Sequence, residues 1–261
     1  MSLKPIIEVK NLEIKYGKNY ILEGDNSFSI NPGEIVLILG ENGTGKSSIL
    51  KSIFRELSET NGDRELWFKG EKIDNNKKLD GFRRSIAYST QDDDSDKYFY
   101  RNVWNFVLDY ASSSQQFIEK KLTKTEIEEK VNKVFDELDC QLVYGIKNLK
   151  THKLAKCSGG QKKLANILRC LSRTEADLYI FDEPLNNLDA YHARKLNNYL
   201  VDLVNRKDNP PGILIITHCP IFQKVNKVYH LKGKKLILDN DYFPKNCYGS
   251  CVSNFKYLEE E

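Results

Sequence analysis

The chain has 261 residues, of which 40% are apolar and 30% are charged. This is enough apolar sequence to bury a sizeable core, which excludes an intrinsically disordered chain. Lys and Arg total 40 against 37 Asp and Glu, a formal charge of +3, so no charge excess favours nucleic acid or a lipid surface as the main partner.

Short apolar runs alternate with longer amphipathic stretches, the pattern of a sheet covered by helices. The last two predicted strands are joined at Gly233 and Lys234 and should form a hairpin. The runs 178–181 and 213–216 are apolar throughout, which is typical of parallel strands buried on both faces. In chain order, the predicted strands are 6–14, 35–39, 85–90, 178–181, 213–217, 227–232 and 235–239.

Helical periodicity appears between these strands. Apolar residues fall on one helical face after Gly45, after Gly160 and after Asp189. Between about 100 and 155 the sequence becomes polar and helical without a convincing strand, and Thr125 to Glu128 resembles a capping-box start. These patterns predict an α/β protein whose sheet core carries a helical insertion.

A phosphate-binding loop is indicated where the predicted strand 35–39 meets a predicted helix. The segment Gly-Glu-Asn-Gly-Thr-Gly-Lys-Ser matches the pattern G-x-x-x-x-G-K-[ST]. Its glycines let successive backbone N–H groups point at anionic oxygens, and the helix N-terminus adds positive partial charge. Lys46 is expected to reach the β- and γ-phosphates, and the Ser47 hydroxyl can ligate Mg²⁺. The predicted nucleotide-binding residues are Gly40, Glu41, Asn42, Gly43, Thr44, Gly45, Lys46, Ser47 and Ser48.

Two acidic residues follow the apolar run 178–181. Residues at the carboxyl ends of parallel strands face the ligand crevice, so Asp182 is expected to hold Mg²⁺ together with Ser47. Glu183 should point the other way along the pleat, and a carboxylate beside the γ-phosphate is suited to polarising water. The alternative is a pair of surface acids at a strand end, which the upstream phosphate loop argues against.

A second glycine-rich helix start occurs at Cys157 to Gln161, which read Cys-Ser-Gly-Gly-Gln. A serine and two glycines at a helix N-terminus form an anion-binding nest. Two nests of one chain cannot easily enclose the same γ-phosphate if they belong to different subdomains. The second nest therefore suggests that nucleotide is enclosed between two chains.

The ordered motifs resemble those of ATP-binding cassette (ABC) ATPase domains, and the resemblance covers nearly the whole chain. Residues 40–47 resemble the Walker A motif, 157–161 the family signature and 178–183 the Walker B motif. Further matches are Tyr16, which is similar to the aromatic residue that stacks on adenine, and Gln91, which is similar to the glutamine loop. Residues 187–189 resemble the D-loop, and His218 resembles the switch histidine.

The resemblance implies a fold and a domain organisation. The fold would be a P-loop NTPase (RecA-like) α/β core with an N-terminal antiparallel β subdomain and a helical insertion subdomain. The whole chain, 1–261, would be a single ABC ATPase domain. About 1–100 and 155–261 would form the catalytic core with the β subdomain, and about 101–155 the helical signature subdomain.

The resemblance also implies roles for single residues. Glu183 would act as general base, while His218 would hold the γ-phosphate and the attacking water. Ser158, Gly159 and Gly160 would contact the γ-phosphate bound by the opposite chain, and Asp189 would link the two sites. The implied catalytic residues are Glu183, His218, Lys46 and Gln91. The implied metal ligands are Ser47, Gln91 and Asp182.

Departures from the family pattern are small. Cys157 stands where Leu is more usual, and Asn186 and Asn187 stand where small residues are commoner, which puts the fine coupling between two sites in doubt. Cys247 and Cys251, four residues apart near the C-terminal end, are interpreted as structural rather than as a metal or redox pair. We assign no function to the tail after about residue 239.

The resemblance favours an ATP-hydrolysing subunit that powers an ABC transporter through separate transmembrane permease subunits, with ATP and Mg²⁺ as ligands and no nucleic-acid partner. The apolar runs of the chain are shorter than the ~20 residues of a membrane span, and the start of the chain lacks a signal-peptide core. We therefore expect a cytoplasmic protein, peripheral on the cytoplasmic face of the membrane. Alternatives are a soluble ABC ATPase of a non-membrane assembly, such as iron–sulfur cluster biogenesis, and a regulatory module with negligible turnover. The cargo, the direction of transport and the choice between homodimer and heterodimer stay open.

Overall fold

The computed structural model describes residues 4–54, 64–90, 98, 100–114, 122–139, 149–173 and 175–244. The predictions for Gln91, Cys247 and Cys251 lie outside the described residues.

Antiparallel strands dominate the N-terminal part of the chain. One sheet has four strands in the order β4-β1-β6-β7, and the pair β2-β3 forms a separate two-stranded ribbon. The bounds of these strands are β1 (Ile7–Lys10), β2 (Ile14–Tyr16), β3 (Asn19–Leu22), β4 (Phe28–Ile30), β6 (Glu65–Phe68) and β7 (Glu71–Lys72).

A six-stranded sheet forms the centre, and only its last strand is antiparallel to its neighbour. Its strands are β5 (Ile35–Leu39), β8 (Ile86–Ser89), β9 (Leu178–Asp182), β10 (Gly212–Thr217), β11 (Lys227–Lys232) and β12 (Lys235–Asp239). Their order, β12-β11-β5-β10-β9-β8, places β10 between β5 and β9. The predicted hairpin of the last two strands is confirmed.

Helices cover both faces of this sheet. They are α1 (Lys46–Ile53), α2 (Asn76–Arg84), α3 (Val103–Ser114), α4 (Lys124–Glu137), α5 (Gly159–Leu171) and α6 (Ala190–Val204), with short 3-10 turns at Leu149–Thr151 and Leu154–Lys156. None of the helices in the described ranges is both long enough and apolar enough to cross a bilayer.

The central sheet separates two apolar cores, and the strand β5 contributes to both. Val36 and Ile38 pack with α1, α2 and the antiparallel strands. Leu37 and Leu39 pack with α3 to α6 on the opposite face. Because successive side chains of a strand point to opposite faces, a strand between two helical layers must be apolar throughout. The predicted α/β fold, with its parallel core, antiparallel N-terminal strands and helical insertion, is confirmed.

Two local predictions were wrong. The predicted strand 6–14 is divided between β1 and β2, because Asn11 adopts a left-handed φ of 54° and turns the chain out of the first sheet. The capping box of α4 is formed by Thr123 and Glu126, two residues before the predicted start. The Thr123 side chain accepts a hydrogen bond from the Glu126 N–H, and the Glu126 carboxylate accepts one in return from the Thr123 N–H. Thr123, not Thr125, is therefore the N-cap of this helix.

Candidate nucleotide-binding site

The candidate site lies where β5, β9 and β10 end at the same edge of the central sheet. In the parallel pairing, Thr217 lies opposite Leu39, and Ile216 lies opposite Asp182. The segments that leave these strands carry the phosphate loop, Glu183 and His218. Residues that are more than 30 positions apart in sequence are thereby brought to one crevice, which is where open α/β sheets bind ligands.

The phosphate loop depends on a glycine directly before α1. Gly45 is the N-cap, with φ at 99°, and makes no side-chain hydrogen bond. A Cβ atom at this position would lie 2.1 Å from Ile21 Cγ2 of β3, so the close approach of the ribbon also requires glycine. The helix therefore presents its first backbone N–H groups and its positive partial charge without a side chain in front of them.

Lys46 lies inside the loop and is almost fully buried. Its ammonium donates hydrogen bonds to the carbonyl oxygens of Gly40, at 2.8 Å, and Glu41, at 2.9 Å. Its Nζ also lies 3.2 Å from Glu183 Oε1. This contact is ionic rather than a well-aligned hydrogen bond, since Oε1 has no hydrogen-bond partner among the described residues. The loop thus holds a cation at its centre and pairs it with the carboxylate after β9.

Ser47 and Asp182 form the second connection between the loop and β9. The Ser47 hydroxyl donates to Asp182 Oδ2 at 3.0 Å, whereas Oδ1 is buried without a hydrogen-bond partner among the described residues. Burial raises the pKa of the Asp182 carboxyl; the Ser47 hydrogen bond opposes this, and the nearby charge of Glu183 adds to it. A hydroxyl beside a carboxylate oxygen that lacks a partner is a donor set that fits Mg²⁺.

Glu183 is held by the end of β10. Its Oε2 accepts a hydrogen bond from the Thr217 hydroxyl at 2.9 Å and one from the backbone N–H of His218 at 3.3 Å. His218 Nδ1 lies 2.9 Å from the same oxygen. Only 2% of the Glu183 side chain is exposed. Because β10 pairs directly with β9, the strand order itself places the histidine against the carboxylate.

Glu183 does not continue the pleat of β9. Its φ is 47°, in the left-handed region, although it is not glycine. Its N–H donates to the Ile216 carbonyl at 2.8 Å. The direction of its side chain is therefore set by this turn, not by the strand alternation that the sequence predicts. Left-handed backbone at a non-glycine residue costs of the order of 1–3 kcal/mol and is concentrated at functional sites.

The second glycine-rich segment opens α5. Ser158 is the N-cap, and a reciprocal capping box joins its hydroxyl and backbone to Gln161. Ser158 and Gly159 are exposed, and a Cβ atom at Gly159 would meet nothing within 4 Å. The N-terminus of this helix is therefore well formed and open at the surface.

Asp189 and Tyr16 occupy more peripheral places. Asp189 caps α6: one carboxylate oxygen accepts from the His192 N–H at 2.9 Å, and the other lies 2.8 Å from His192 Nδ1. Tyr16 ends β2 and packs at the margin of the core that contains α1.

Sequence reasoning missed Thr217, His192 and Lys163. Thr217 holds Glu183, and His192 holds Asp189. Lys163 lies on the buried face of α5 and donates to the carbonyls of Thr90 and Asp182. A signal existed for the lysine, since it falls four residues before Ile167 on the apolar stripe of a predicted helix.

The sequence and the fold are similar to those of known proteins. A family model described as "ABC transporter" matches residues 22–186. The chain is 32% identical to "Energy-coupling factor transporter ATP-binding protein EcfA" of Methanococcus maripaludis, covering 89% of this chain and 78% of that protein. It is 29% identical to "Phosphonates import ATP-binding protein PhnC" of Fusobacterium nucleatum subsp. nucleatum, covering 90% and 92%. Among solved structures, cbiO1 of Clostridium perfringens, described as part of the ABC transporter complex cbiONQ, is similar with a TM-score of 0.68 and 27% identity, covering 90% and 88%.

Proposed function

Because the chain belongs to the ABC transporter family, we propose that it is a single ABC ATPase domain that binds ATP between two chains and powers transport through separate transmembrane subunits. ATP hydrolysis for transport is the activity of this family. The observation that carries the residue roles is the convergence of Lys46, Ser47, Asp182, Glu183 and His218 at one sheet edge.

Each of these side chains has a place in the proposed reaction. Lys46 leaves Glu183 and binds the β- and γ-phosphates, since its ammonium already lies at the centre of the loop. Glu183 Oε1 then accepts the proton of the attacking water, while its Oε2 stays held by Thr217. His218 orients the same carboxylate and contacts the γ-phosphate.

Mg²⁺ fits the remaining oxygens. Ser47 and Asp182 would hold it, because the Ser47 hydroxyl lies 3.0 Å from Asp182 Oδ2, and the other carboxylate oxygen, Oδ1, has no hydrogen-bond partner among the described residues. Gln91, which directly follows Thr90 in the sequence, is proposed as a further ligand. Bound there, the ion would offset the negative charge of the phosphates.

The working unit is proposed to be a dimer that encloses ATP. The exposed N-terminus of α5, with Ser158, Gly159 and Gly160, supplies anion-binding N–H groups to the nucleotide on the opposite chain. Asp189 connects this interface to α6. Adenine stacks on Tyr16 beside the loop. Such a site is incomplete in one chain, which makes hydrolysis depend on dimer closure.

The transmembrane subunits are proposed to dock on the helical insertion. A groove of about 330 Å³ lies between α3 and α5 and is lined by Tyr98, Arg101, Phe106, Asp109, Tyr110, Ser113 and Arg169. The Arg169 guanidinium lies 4.5 Å from the centre of the Tyr110 ring and 4.9 Å from that of Phe106. Aromatic rings and arginine dominate protein interfaces, and this docking would keep the chain on the cytoplasmic face of the membrane.

The test is extraction of native membranes in mild detergent, followed by pull-down of the tagged full chain and identification of its partners. We expect a protein with several membrane spans to co-purify. Asp109→Lys, an exposed reversal of charge in the groove, should abolish co-purification, whereas the matched change Asp136→Lys on α4 should not. Recovery with soluble partners alone would overturn the transport role and favour an ATPase of a non-membrane assembly.

A further inference from the structure

Lys163 is a buried cation that the proposed roles above do not use. It lies on α5, five residues after the N-cap Ser158, and only 7% of it is exposed. A lysine is almost never buried unless its ammonium is paired. Its Nζ donates to the carbonyl oxygen of Asp182 at 3.1 Å and to that of Thr90 at 3.3 Å. The first acceptor is the last residue of β9, and the second directly follows β8.

The Asp182 carbonyl belongs to the peptide group that joins the two carboxylate residues. The other side of the same peptide, the Glu183 N–H, donates to Ile216 of β10. The peptide is thus held from both sides immediately before a residue with φ at 47°. Rotation of this peptide would turn the Glu183 side chain away from Lys46 and Thr217.

The Thr90 carbonyl extends the connection to a third segment. Thr90 follows β8 and directly precedes Gln91. One ammonium on α5 therefore joins Thr90, the residue before Gln91, to the peptide that orients the two carboxylates. The helix that carries this ammonium also presents Ser158 and Gly159 at its exposed N-terminus.

We propose that Lys163 is a positioning residue for ATP hydrolysis, which holds the peptide between Asp182 and Glu183 in register with α5 and Thr90. It does not touch the reacting atoms. Movement of α5 as the dimer closes is transmitted through this ammonium to the carboxylates. The inference rests on the proposed role of Glu183 as general base.

The experiment measures steady-state ATP hydrolysis by the full chain carrying Lys163→Met. We expect kcat to fall between about 10-fold and 100-fold, as a misplaced catalytic group does, while the KM for ATP changes less than about twofold because the phosphate loop is intact. Lys163→Arg, which keeps the cation and its donors, should restore most of kcat. If Lys163→Met does not fold, Lys163→Gln takes its place.

A matched control separates positioning from stability. Lys227 is only half-buried, but it likewise donates to a carbonyl oxygen, that of Ser29 at 3.3 Å, and it is paired with Glu34 at 2.8 Å. It lies at the beginning of β11, the opposite end from the site. Lys227→Met should lower the free energy of unfolding and leave kcat unchanged. An equal loss of kcat in both variants would reduce Lys163 to a structural role and overturn the proposal.

A double variant tests the route of action. If Lys163 acts by aiming Glu183, then Lys163→Met should have little further effect on single-turnover hydrolysis in the Glu183→Gln background. A full, additive loss there, or a kcat of Lys163→Met within twofold of the parent chain, would overturn the proposal. Undiminished hydrolysis in Glu183→Gln alone would instead overturn the assignment of the general base, and the inference with it.

Discussion

Lys46 Nζ lies 3.2 Å from Glu183 Oε1, and both side chains are almost completely buried. The lysine bridges the phosphate loop and the end of β9, because the same ammonium also holds the Gly40 and Glu41 carbonyls. In this structure, the residue proposed to bind phosphate and the residue proposed to activate water neutralise each other. ATP would compete for the lysine and so release the carboxylate.

The buried ion pair between Lys46 and Glu183 should contribute to the stability of the protein measured without nucleotide. Lys46→Met should lower the free energy of unfolding by about 3 kcal/mol, because it leaves a buried carboxylate without its counter-charge. Adding Glu183→Gln to this variant should recover part of the loss, since no unpaired charge then remains. Urea denaturation of the single and double variants measures both effects, and strictly additive losses would show that the pair is not coupled.

Replacement of the proposed general base should separate binding from turnover. Glu183→Gln should slow steady-state hydrolysis, measured as phosphate release, by at least about 100-fold. The variant should still bind ATP and accumulate as ATP-bound dimers, which size-exclusion chromatography in the presence of ATP detects. Glu175→Gln, which changes a half-exposed glutamate before the same strand, is the control and should retain full activity. Normal turnover in Glu183→Gln would mean that another group activates water.

The buried carboxyl of Asp182 should destabilise the protein at neutral pH. Burial raises the pKa of its carboxyl above the ordinary value of 3.8, so the native state retains the proton at higher pH than the unfolded chain. This contribution to stability is present at low pH and is lost as the pH rises from 3.8 through the raised native value. Asp182→Asn should therefore unfold at higher urea concentration than the parent chain at pH 7, but not near pH 3.

The same substitution should remove the response to magnesium. Mg²⁺ with ATP should raise the melting temperature of the parent chain above that seen with ATP alone, and Asp182→Asn should lose this increment. Asp177→Asn, at the opposite end of β9, is a suitable control because its carboxylate pairs with Lys69 away from the loop. An unchanged magnesium increment in Asp182→Asn would remove this residue from the metal site.

Gly45 should be intolerant of any side chain. Gly45→Ala should lose ATP binding. A left-handed backbone conformation at alanine costs about 1–2 kcal/mol, and the loss of stability should exceed this, because the new Cβ would also lie 2.1 Å from Ile21 Cγ2. Gly24→Ala, with φ at +77° and nothing within 4 Å, should show the strain alone. Nucleotide titration and urea denaturation of both variants test this, and equal losses would contradict the role of the contact.

Hydrolysis should require the exposed start of α5 from a second chain. Gly159→Asp should fold normally, because space is open there and an acid favours a helix N-terminus, yet its charge would repel the γ-phosphate and stop hydrolysis. Lys46→Met should be inactive for a different reason. Mixing the two should restore partial activity, since one of two composite sites is then intact. No recovery, with both chains folded, would argue against a site shared by two identical copies.

The motif residues were predictable because their chemistry is local. A phosphate loop needs glycines, a lysine and a hydroxyl at set spacing, so the sequence alone predicts such a loop at residues 40–47. The apolar runs of β9 and β10 likewise revealed strands buried on both faces. The antiparallel strands were harder: β3, β4, β6 and β7 have only two to four residues each, too few for a period to emerge.

What the sequence by itself determined is the nucleotide chemistry, the α/β class and the order of the motifs along the chain. The tertiary structure alone decided which of those groups meet. Strand order placed β10 between β5 and β9, and this brought Thr217 and His218 onto Glu183. The packing of α5 carried Lys163 to the peptide before Glu183. These contacts join residues 19 to 35 positions apart in the sequence, and only burial in a shared core determines such distances.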